Sequence, residues 1–555
     1  MIEKIKSKNL IIKNDINTTY ISILKMIILT QNGYIIPHAY FQKKPKQLEK
    51  LKKDLHVIPI KNKDFLLDED EFDVYEETAE YIRVPRYYGI KKFGKPKNFF
   101  YDDQSYETNM KFTGSLRPQQ EEAVQTTLDS LIKKNGALLC VPCGFGKTIM
   151  AIYIACKLKV KTLILVHKGF LSNQWCERIL QVTDAKIGFI KQDIVDIENK
   201  DIVIGMIQSI AMKDYHNAIF QGFGLIIVDE CHRIASKVFS RSLIKAGCKY
   251  TLGVSATPNR KDGLIKVVKW YIGDMAYQIT DRPNTKVNVF SINYRATVPE
   301  FRYCERYMKG SMRPDIQTML TNLTQLYDRN TTIINSLEHL ALVGRKILVL
   351  SFRREHLTEL NELLTDRLTK AGISNITTGF YVGGMKEAEL KLSSEATVIF
   401  ATYAMAEEGL DIDSLNTLFL VLPKKDVIQS VGRILRKPAS EGSVTPLVVE
   451  IADEMYPFFN WTIKRHAYYT KSEYDITNAL CLNEDLISPT QLLEYKKTKF
   501  DKNLPEDVYK KYMLLQYGAT YEQNIVDYDK DRLKYQWLCD FRNIKQYYDI
   551  ILSDD

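Results

Sequence analysis

Residues 225–232 read LIIVDECH. The first four residues of this stretch are apolar and end directly in two carboxylates, Asp229 and Glu230. A short, continuous apolar run is typical of a strand buried on both faces, as in a parallel sheet that helices cover. Because ligands bind at the carboxyl edge of such a sheet, we expect Asp229 and Glu230 to lie at a binding site.

A second stretch, upstream of the first, has the pattern of a phosphate-binding loop. Residues 141–148 read VPCGFGKT. Gly144 and Gly146 let the backbone approach a phosphate closely, and the helix that follows points its N-terminus at the anion. Lys147 is expected to reach the β- and γ-phosphates, and the Thr148 hydroxyl to bind Mg²⁺. A valine occupies the first glycine position of the general pattern, so the loop alone also fits an ordinary glycine-containing turn.

Together the two stretches predict a nucleotide site. Asp229 is suited to hold Mg²⁺, directly or through water, and Glu230 to orient or deprotonate an attacking water. An Asp-Glu pair on a loop is usually a solvated turn. Here the pair ends an apolar run about 80 residues after a phosphate loop, which favours the nucleotide site.

Short β-branched runs alternate with helical segments around these stretches, which predicts an α/β fold with two parallel sheets. The runs assigned to the first sheet are 137–141, 162–166, 202–205, 225–228 and 251–254, and those assigned to the second are 346–350, 397–400, 417–421 and 446–450. The predicted regions are an N-terminal α+β accessory domain at 1–106, a first α/β domain at 107–275, a linker or small insert at 276–324, a second α/β domain at 325–469, and a mainly helical C-terminal accessory region at 470–555.

Composition excludes little by itself. The 555 residues include 77 Lys and Arg against 68 Asp and Glu, and the net charge of +9 permits a polyanionic partner without arguing for one. The nine cysteines are scattered, which indicates a reducing, intracellular compartment, and the first residues carry no signal-peptide pattern. Cys140 and Cys143 have CxxC spacing with no second pair, so two small residues in a tight turn are favoured over zinc or redox chemistry.

Residues 116–436 resemble the superfamily 2 helicases, in which the Asp-Glu-Cys-His spelling is a recognised variant of the second motif. Residues 116–120 resemble the adenine-recognising segment, which implies that Arg117 and Gln120 contact the nucleotide. Residues 165–175 and 205–210 resemble motifs that grip the nucleic-acid backbone. For these motifs the resemblance implies contacts from Lys168, Gln208 and Ser209. Residues 255–258, SATP, match the motif that links hydrolysis to movement.

The resemblance continues in the second predicted domain, where residues 348–353, 401–412 and 429–436 resemble motifs IV, V and VI. It implies nucleic-acid contacts from Phe352 and Thr402 and nucleotide contacts from Gly409 and Asp411. Arg433 and Arg436 stand at i and i+3 on one face of a predicted helix. From there they would reach across a cleft to the γ-phosphate as arginine fingers, the alternative being an ordinary surface salt-bridge pair.

Within the superfamily, residues 253–263 resemble the branch that contains XPB and UvsW, although Arg260-Lys261-Asp262 replaces that branch's Arg-Glu-Asp element. The spelling CGFGKT is similar to helicases of large cytoplasmic DNA viruses, including the poxvirus transcript-release type. The resemblance implies two RecA-like domains, ATP and Mg²⁺ as cofactors, and nucleic acid as partner, with DNA favoured over RNA. Transcription or replication proteins are further expected partners, and a viral chain would act in the host cytoplasm and in the virion.

Three functions remain open on the sequence. The first is an ATP-dependent helicase or translocase that acts on DNA in transcription, repair or replication. The second is a nucleic-acid-dependent ATPase that releases transcripts or remodels protein–nucleic-acid complexes with little unwinding. The third is a non-catalytic scaffold, against which the intact Lys147, Asp229 and Glu230 argue. The aromatic and basic stretch 458–469 is interpreted as a helix packed on the second domain's core rather than a nucleic-acid contact.

Overall fold

The structure is a computed structural model and describes residues 26–58, 71–96, 98–100, 107–142, 144–231, 237–256, 264–279, 286–296, 298, 300–308, 310–410, 412–435, 444–482, 537–540, 548 and 552. The chain forms two compact units, Met1–Thr280 and Asp281–Asp555.

The first unit begins with a small α+β region, as predicted. Its main sheet has the strand order β5-β6-β2-β1-β7, in which β1 pairs antiparallel with β2 and parallel with β7, while β3 and β4 form a separate pair. The strands are β1 Ile28–Thr30, β2 Gly33–Pro37, β3 His56–Val57, β4 Phe72–Asp73, β5 Glu76–Glu77, β6 Tyr81–Val84 and β7 Asn98–Phe100, and the helices are α1 His38–Phe41, α2 Pro45–Leu55 and α3 Arg86–Phe93.

A parallel eight-stranded sheet follows, with the order β11-β10-β12-β9-β13-β14-β8-β15, and only β11 runs antiparallel to its neighbour. All five runs assigned to this sheet from the sequence form strands in it. The strands are β8 Gly136–Cys140, β9 Thr162–Val166, β10 Ile187–Lys191, β11 Ile194–Asp196, β12 Ile202–Met206, β13 Leu225–Asp229, β14 Tyr250–Ser255 and β15 Met275–Gln278. The helices are α4 Pro118–Lys134, α5 Lys147–Leu158, α6 Gly169–Val182, α7 Ile207–Met212, a 3₁₀ turn Asn217–Phe220, α8 Lys237–Lys245 and α9 Ile265–Ile272.

The small sheet is anchored to the parallel sheet through the β1–β2 turn. The Asn32 side-chain amide donates to the carbonyls of Ile244 and Lys245, at 2.7 and 3.1 Å, and so caps the C-terminal end of α8. The Arg86 guanidinium, 4% exposed, donates to the carbonyl of Lys249 at 2.7 Å. Apolar residues of both sheets share one core. The predicted accessory region is therefore packed into the first unit.

The second unit is built on another eight-stranded parallel sheet, ordered β20-β21-β19-β22-β23-β16-β24-β25, with the pair β17–β18 outside it. All four runs assigned to the second sheet from the sequence are strands in it. The strands are β16 Asn288–Arg295, β17 Glu305–Met308, β18 Ser311–Pro314, β19 Ile347–Ser351, β20 Thr378–Tyr381, β21 Val398–Thr402, β22 Thr417–Leu420, β23 Leu447–Asp453, β24 Asp475–Leu482 and β25 Trp537–Asp540. The helices are α10 Ile316–Thr324, α11 Tyr327–Leu342, α12 Arg354–Lys370, α13 Glu387–Ser394, α14 Tyr403–Gly409, α15 Ile428–Val431 and α16 Phe458–Lys471.

Two regions differ from their sequence-based description. Residues 276–324 were expected to form a linker or small insert, but β16 is fully buried between β23 and β24. Residues 470–555 were expected to be mainly helical, but their described part supplies β24 and β25 to the same sheet. The interpretation of 458–469 is confirmed, since α16 buries Phe458, Phe459 and Trp461.

Buried ion pairs hold the second sheet to its helices. Arg329 of α11, 0% exposed, forms a two-point pair with Asp453 at the end of β23, with Nε–Oδ1 at 2.7 Å and Nη2–Oδ2 at 2.8 Å. Arg465 of α16 donates to the Glu450 carboxylate at 2.6 Å, and the Tyr469 hydroxyl donates to the same carboxylate at 3.1 Å. Each charge loses its hydration on burial, so its partner is required for the fold.

We predict that Arg329→Met destabilises the second unit by about 3–5 kcal/mol, because it leaves the Asp453 carboxylate buried without its cation. The double variant Arg329→Met/Asp453→Leu should recover most of that loss. Hydrogen exchange of the β23 amides in increasing urea measures both effects, with Lys370→Ala in an exposed i,i+4 pair as the control. A single variant as stable as the wild type would contradict the prediction.

Candidate nucleotide and nucleic-acid site

The phosphate loop follows β8 directly, and α5 begins at Lys147. Gly144 and Gly146 have positive φ angles of 78° and 93°, a conformation that side chains other than glycine rarely adopt. A Cβ added to Gly146 would lie 2.3 Å from the Gln120 amide nitrogen. The local sequence is therefore required by the turn, which leaves the N-terminus of a twelve-residue helix open to an anion.

Arg117 and Gln120, predicted to contact the nucleotide, lie against this loop. Arg117 Nη2 donates to the Gly144 carbonyl at 3.0 Å, and Gln120 Nε2 donates to the Phe145 carbonyl at 2.6 Å. Gln120 Oε1 accepts from the Arg117 backbone N–H at 2.9 Å and closes the N-terminal turn of α4. These hydrogen bonds hold residues 116–120 against the backbone of the phosphate loop.

Asp229 and Glu230 lie at the same edge of the sheet as the loop. Strand β13 ends at Asp229, and only β14 separates it from β8. Glu230 has a φ of 47°, a left-handed conformation that costs a non-glycine residue roughly 1–2 kcal/mol. Its backbone N–H donates to Asp229 Oδ1 at 2.9 Å. Such backbone strain is typical of functional sites, and here it lies at the residue directly after the end of β13.

Trp175 holds the other oxygen of Asp229. Its indole N–H donates to Asp229 Oδ2 at 2.8 Å, and the side chain is 2% exposed. The sequence placed Trp175 in a motif that grips nucleic acid, whereas the structure directs its only polar atom to the carboxylate of the second motif. No spacing rule could have shown this, because the two residues are 54 positions apart.

The charged groups at this edge act on one another. Burial and the neighbouring charge of Glu230 raise the pKa of Asp229, while the Trp175 hydrogen bond and the charge of Lys147 act to lower it. Lys147 and Glu230 also act in opposite directions on the Cys140 thiol, whose pKa burial raises to about 12. Cys140 is therefore a neutral, buried thiol, which supports the structural interpretation of the CxxC spacing; Cys143 lies outside the described residues.

The donor set at this edge fits Mg²⁺. Asp229 supplies carboxylate oxygens, and Thr148, the second residue of α5, supplies a hydroxyl beside the phosphate loop. A cation would relieve the repulsion that raises the pKa of Asp229. Mg²⁺ is usually held by one or two carboxylates together with phosphate oxygens and water, so this small set is sufficient.

The predicted backbone-gripping residues of the first unit lie after β9 and β12, which are adjacent. Lys168 precedes α6, with Nζ 5.9 Å from the centre of the Phe170 ring. Gln208 Nε2 donates to the His167 carbonyl at 2.8 Å, and Ser209 Oγ accepts from the Gln192 backbone N–H at 3.0 Å. Gln208 thus links the two motifs to each other.

Phe352 and Thr402 meet at the carboxyl edge of the second sheet. Thr402 pairs with Ser351, the residue before Phe352, in the register of β19 and β21. The Phe352 ring is 38% exposed and lies 4.5 Å from the Tyr403 ring, centre to centre. An exposed ring beside a strand-end hydroxyl suits contact with a nucleic-acid strand.

Arg433 is 8% exposed and donates to the Leu410 carbonyl at 2.9 Å and to the Glu407 carbonyl. The helix expected to carry both arginines on one face is shorter than predicted, since α15 ends at Val431 and Gly432 follows as its C-terminal cap. Arg433 is therefore held by the backbone of the motif V segment. Gly409 ends α14, and Asp411 and Arg436 lie outside the described residues.

The described residues hold neither a membrane-spanning helix nor a further cluster of metal-binding side chains. None of their helices is both long enough and apolar enough to cross a membrane. Nor do three or more of their His, Cys, Asp and Glu side chains gather where they could hold a metal ion.

Comparison with known proteins places these features in a family. Residues 113–260 match the family described as "Type III restriction enzyme, res subunit". The "Putative ATP-dependent RNA helicase L396" of Acanthamoeba polyphaga mimivirus is 37% identical over 460 residues, which cover 81% of this chain and 86% of that protein. The "Putative helicase 161L" of Invertebrate iridescent virus 6 is 28% identical over 64% of this chain and 80% of its own length. The 37% identity to the mimivirus protein extends over most of both chains. Together with the two parallel sheets, it shows that the chain belongs to the viral superfamily 2 helicases.

Proposed function

We propose that the chain binds and hydrolyses ATP at the carboxyl edge of its first parallel sheet and uses the hydrolysis to move along nucleic acid. One observation carries this assignment: the phosphate loop after β8 and the Asp229–Glu230 pair after β13 lie at one edge, with β14 between them. Lys147 is close enough to Asp229 for its charge to act on the pKa of that carboxyl.

Each residue at this edge has a role that follows from its chemistry. Lys147 and the N-terminus of α5 bind the phosphates of ATP. Thr148 and Asp229 would hold Mg²⁺, which supplies positive charge beside the phosphate oxygens when bound. Glu230 orients the attacking water and accepts its proton. Arg117 and Gln120 contact the adenine. Because both side chains also donate hydrogen bonds to backbone carbonyls of the phosphate loop, binding of the adenine affects the conformation of that loop.

The second unit is proposed to contribute Gly409, Asp411, Arg433 and Arg436 to ATP hydrolysis. Support comes from the motif resemblance and from Arg433, whose buried Nε has no hydrogen-bond partner within the described part of the chain. That N–H remains available to a phosphate oxygen. Lys168, Gln208, Ser209, Phe352 and Thr402 are proposed to contact the nucleic acid, mainly through its phosphates.

We favour DNA over RNA as the nucleic acid along which the chain moves. The match of residues 113–260 to the res subunit of a restriction enzyme and the resemblance to the XPB and UvsW branch support DNA. The name of the mimivirus relative, an RNA helicase, supports RNA as the second candidate. From the resemblance to helicases of large cytoplasmic DNA viruses we also propose a site of action in the host cytoplasm or the virion, with transcription or replication proteins as partners. The viral origin of the relatives supports only the viral part of this proposal.

We predict that Lys147→Ala and Glu230→Gln both abolish ATP hydrolysis while leaving the fold intact. They should differ in ATP binding, since Lys147→Ala removes a phosphate contact and Glu230→Gln does not. Phosphate release and equilibrium binding of ATP measure the two properties, with the exposed Lys133→Ala as a matched control. Turnover like that of the wild type in either variant would refute the site assignment.

We predict that Trp175→Phe lowers kcat for ATP about tenfold, since a hydrogen bond to a charged group is worth about 1.5–3 kcal/mol. Loss of the indole N–H raises the pKa of Asp229 further. Asp229 of the free enzyme then becomes protonated at a higher pH, so the acidic limb of the pH profile of kcat/KM moves to higher pH. Trp461→Phe, at a similarly buried tryptophan in the second unit, is the matched control. An unmoved acidic limb in Trp175→Phe would exclude the proposed role.

We predict that DNA stimulates ATP hydrolysis more than RNA of the same sequence, and that the affinity for either falls steeply with salt. Steady-state ATPase assays with single-stranded, duplex and forked DNA and with RNA measure this. Arg433→Ala should retain ATP binding and lose the stimulation. Stronger stimulation by RNA than by DNA would make RNA the preferred nucleic acid and contradict the prediction. A stalled-transcription assay beside a forked-duplex assay separates transcript release from unwinding.

A further inference from the structure

The hairpin β17–β18 stands outside both sheets and exposes polar and apolar side chains together. In its register Arg306 pairs with Arg313, and Tyr307 pairs with Met312. Because side chains alternate across a strand, the arginines lie on one face and Tyr307 and Met312 on the other. Tyr307 is 70% exposed and Met312 56% exposed, and both arginines are exposed as well. None of the sequence motifs includes these residues.

The arginine pair is unfavourable for the hairpin alone. Like charges directly opposite each other on neighbouring strands destabilise a sheet. Arg313 Nε donates a hydrogen bond to Ser311 Oγ at 3.3 Å, and this neutral hydroxyl does not offset the positive charge of either arginine. An anionic ligand that contacts both guanidinium groups would remove the repulsion, and phosphate oxygens match their donor geometry.

The other face suits a nucleic-acid base. An exposed tyrosine beside an exposed methionine presents a flat ring and a polarisable thioether, and large apolar side chains left exposed together are typical of binding surfaces. Bases stack on aromatic side chains with little sequence preference. A strand that meets the hairpin would therefore find a phosphate-binding face and a base-stacking face on one element.

The hairpin is held in a fixed position within its unit. The Asp315 backbone N–H donates to the Cys304 carbonyl at 2.8 Å and closes the base of the hairpin. The Asp315 side chain then caps α10 by accepting from the Thr318 N–H at 3.1 Å. Arg353, which follows Phe352, donates to Gln317 Oε1 of α10 at 2.8 Å. The hairpin, α10 and the Phe352 edge thus form one connected structure.

We propose that β17–β18 is a further nucleic-acid-binding element, in which Arg306 and Arg313 bind backbone phosphates and Tyr307 and Met312 pack on an unpaired base. The proposal rests on the proposed function of a nucleic-acid motor and adds a contact outside its motifs. The ligand is a single strand, because a paired and stacked base does not expose its face to an aromatic ring.

The test compares hairpin variants of the full-length chain for binding a fluorescein-labelled oligothymidine by anisotropy. Arg306→Ala/Arg313→Ala should weaken binding tenfold or more and make the slope of log K against log salt shallower by about 1.4, for two phosphate contacts to a single strand. Tyr307→Ala should weaken binding by about tenfold and leave the slope unchanged. ATP hydrolysis without nucleic acid should stay at the wild-type value in both variants. The melting temperature should fall in neither, since the double alanine variant removes a like-charge repulsion.

Two controls separate the hairpin from general effects of charge. Arg306→Lys/Arg313→Lys keeps both charges and should keep the salt slope. Lys370→Ala/Lys391→Ala removes two charges from exposed helical positions of the same unit and should change the dissociation constant by no more than about twofold.

The outcomes distinguish this proposal from the proposed function. A wild-type chain that neither binds the oligonucleotide nor shows stimulated ATP hydrolysis would overturn the proposed function itself. If the wild type binds and the double alanine variant keeps its affinity and salt slope, the hairpin proposal fails. It also fails if Tyr307→Ala changes sedimentation from dimer to monomer without changing affinity, since the hairpin would then contact a second copy of the chain.

Discussion

Parallel pairing of β8, β14 and β13 in register is the constraint on which the nucleotide site depends. Asp229 lies opposite Val254 in this register, and Val254 lies opposite Leu139, two residues before the phosphate loop begins. The interiors of these strands are buried, so a slip in pairing would expose apolar side chains and move the loop relative to the carboxylates. The core of the first unit thus sets the distance between the loop that we propose to bind phosphate and the carboxylates that we propose to act on Mg²⁺ and water.

Buried carboxylates serve two different purposes in this chain. Asp453 is matched by a two-point arginine pair and is a structural group. Asp229 is held by a neutral indole N–H and stands beside a second carboxylate, so burial and repulsion raise its pKa. Burial raises the pKa of both carboxyls, but the charge of Arg329 opposes the rise at Asp453, whereas the charge of Glu230 adds to the rise at Asp229. The difference in partners therefore distinguishes a structural carboxylate from the one that we propose as a Mg²⁺ ligand.

The sequence predicted what depends on local pattern and missed what depends on distant partners. The strands with continuous apolar runs were all found, because burial on both faces leaves that pattern. Strand β16 lies in a polar stretch, 285–324, whose composition favours a linker, and the strand itself contains the polar residues Ser291 and Asn293. Their partners, Glu450 and the Ala479 carbonyl, lie 159 and 186 residues away. Trp175 shows the same limit at the site: its motif was recognised, but the direction of its N–H follows from packing alone.

The central position of β16 has a consequence for the order in which the protein is made. β16 is the first strand of its sheet to leave the ribosome. Its neighbours β23 and β24 begin at Leu447 and Asp475, which lie 159 and 187 residues after Asn288, where β16 begins. At roughly 5–20 residues per second, it waits about 8–30 s for the first of them. The first unit has by then received all the strands of its parallel sheet. The polar side chains of Ser291 and Asn293, which made β16 hard to predict as a strand, also interrupt its apolar sequence. Until β23 and β24 have been synthesised, this interruption lowers the tendency of β16 to aggregate.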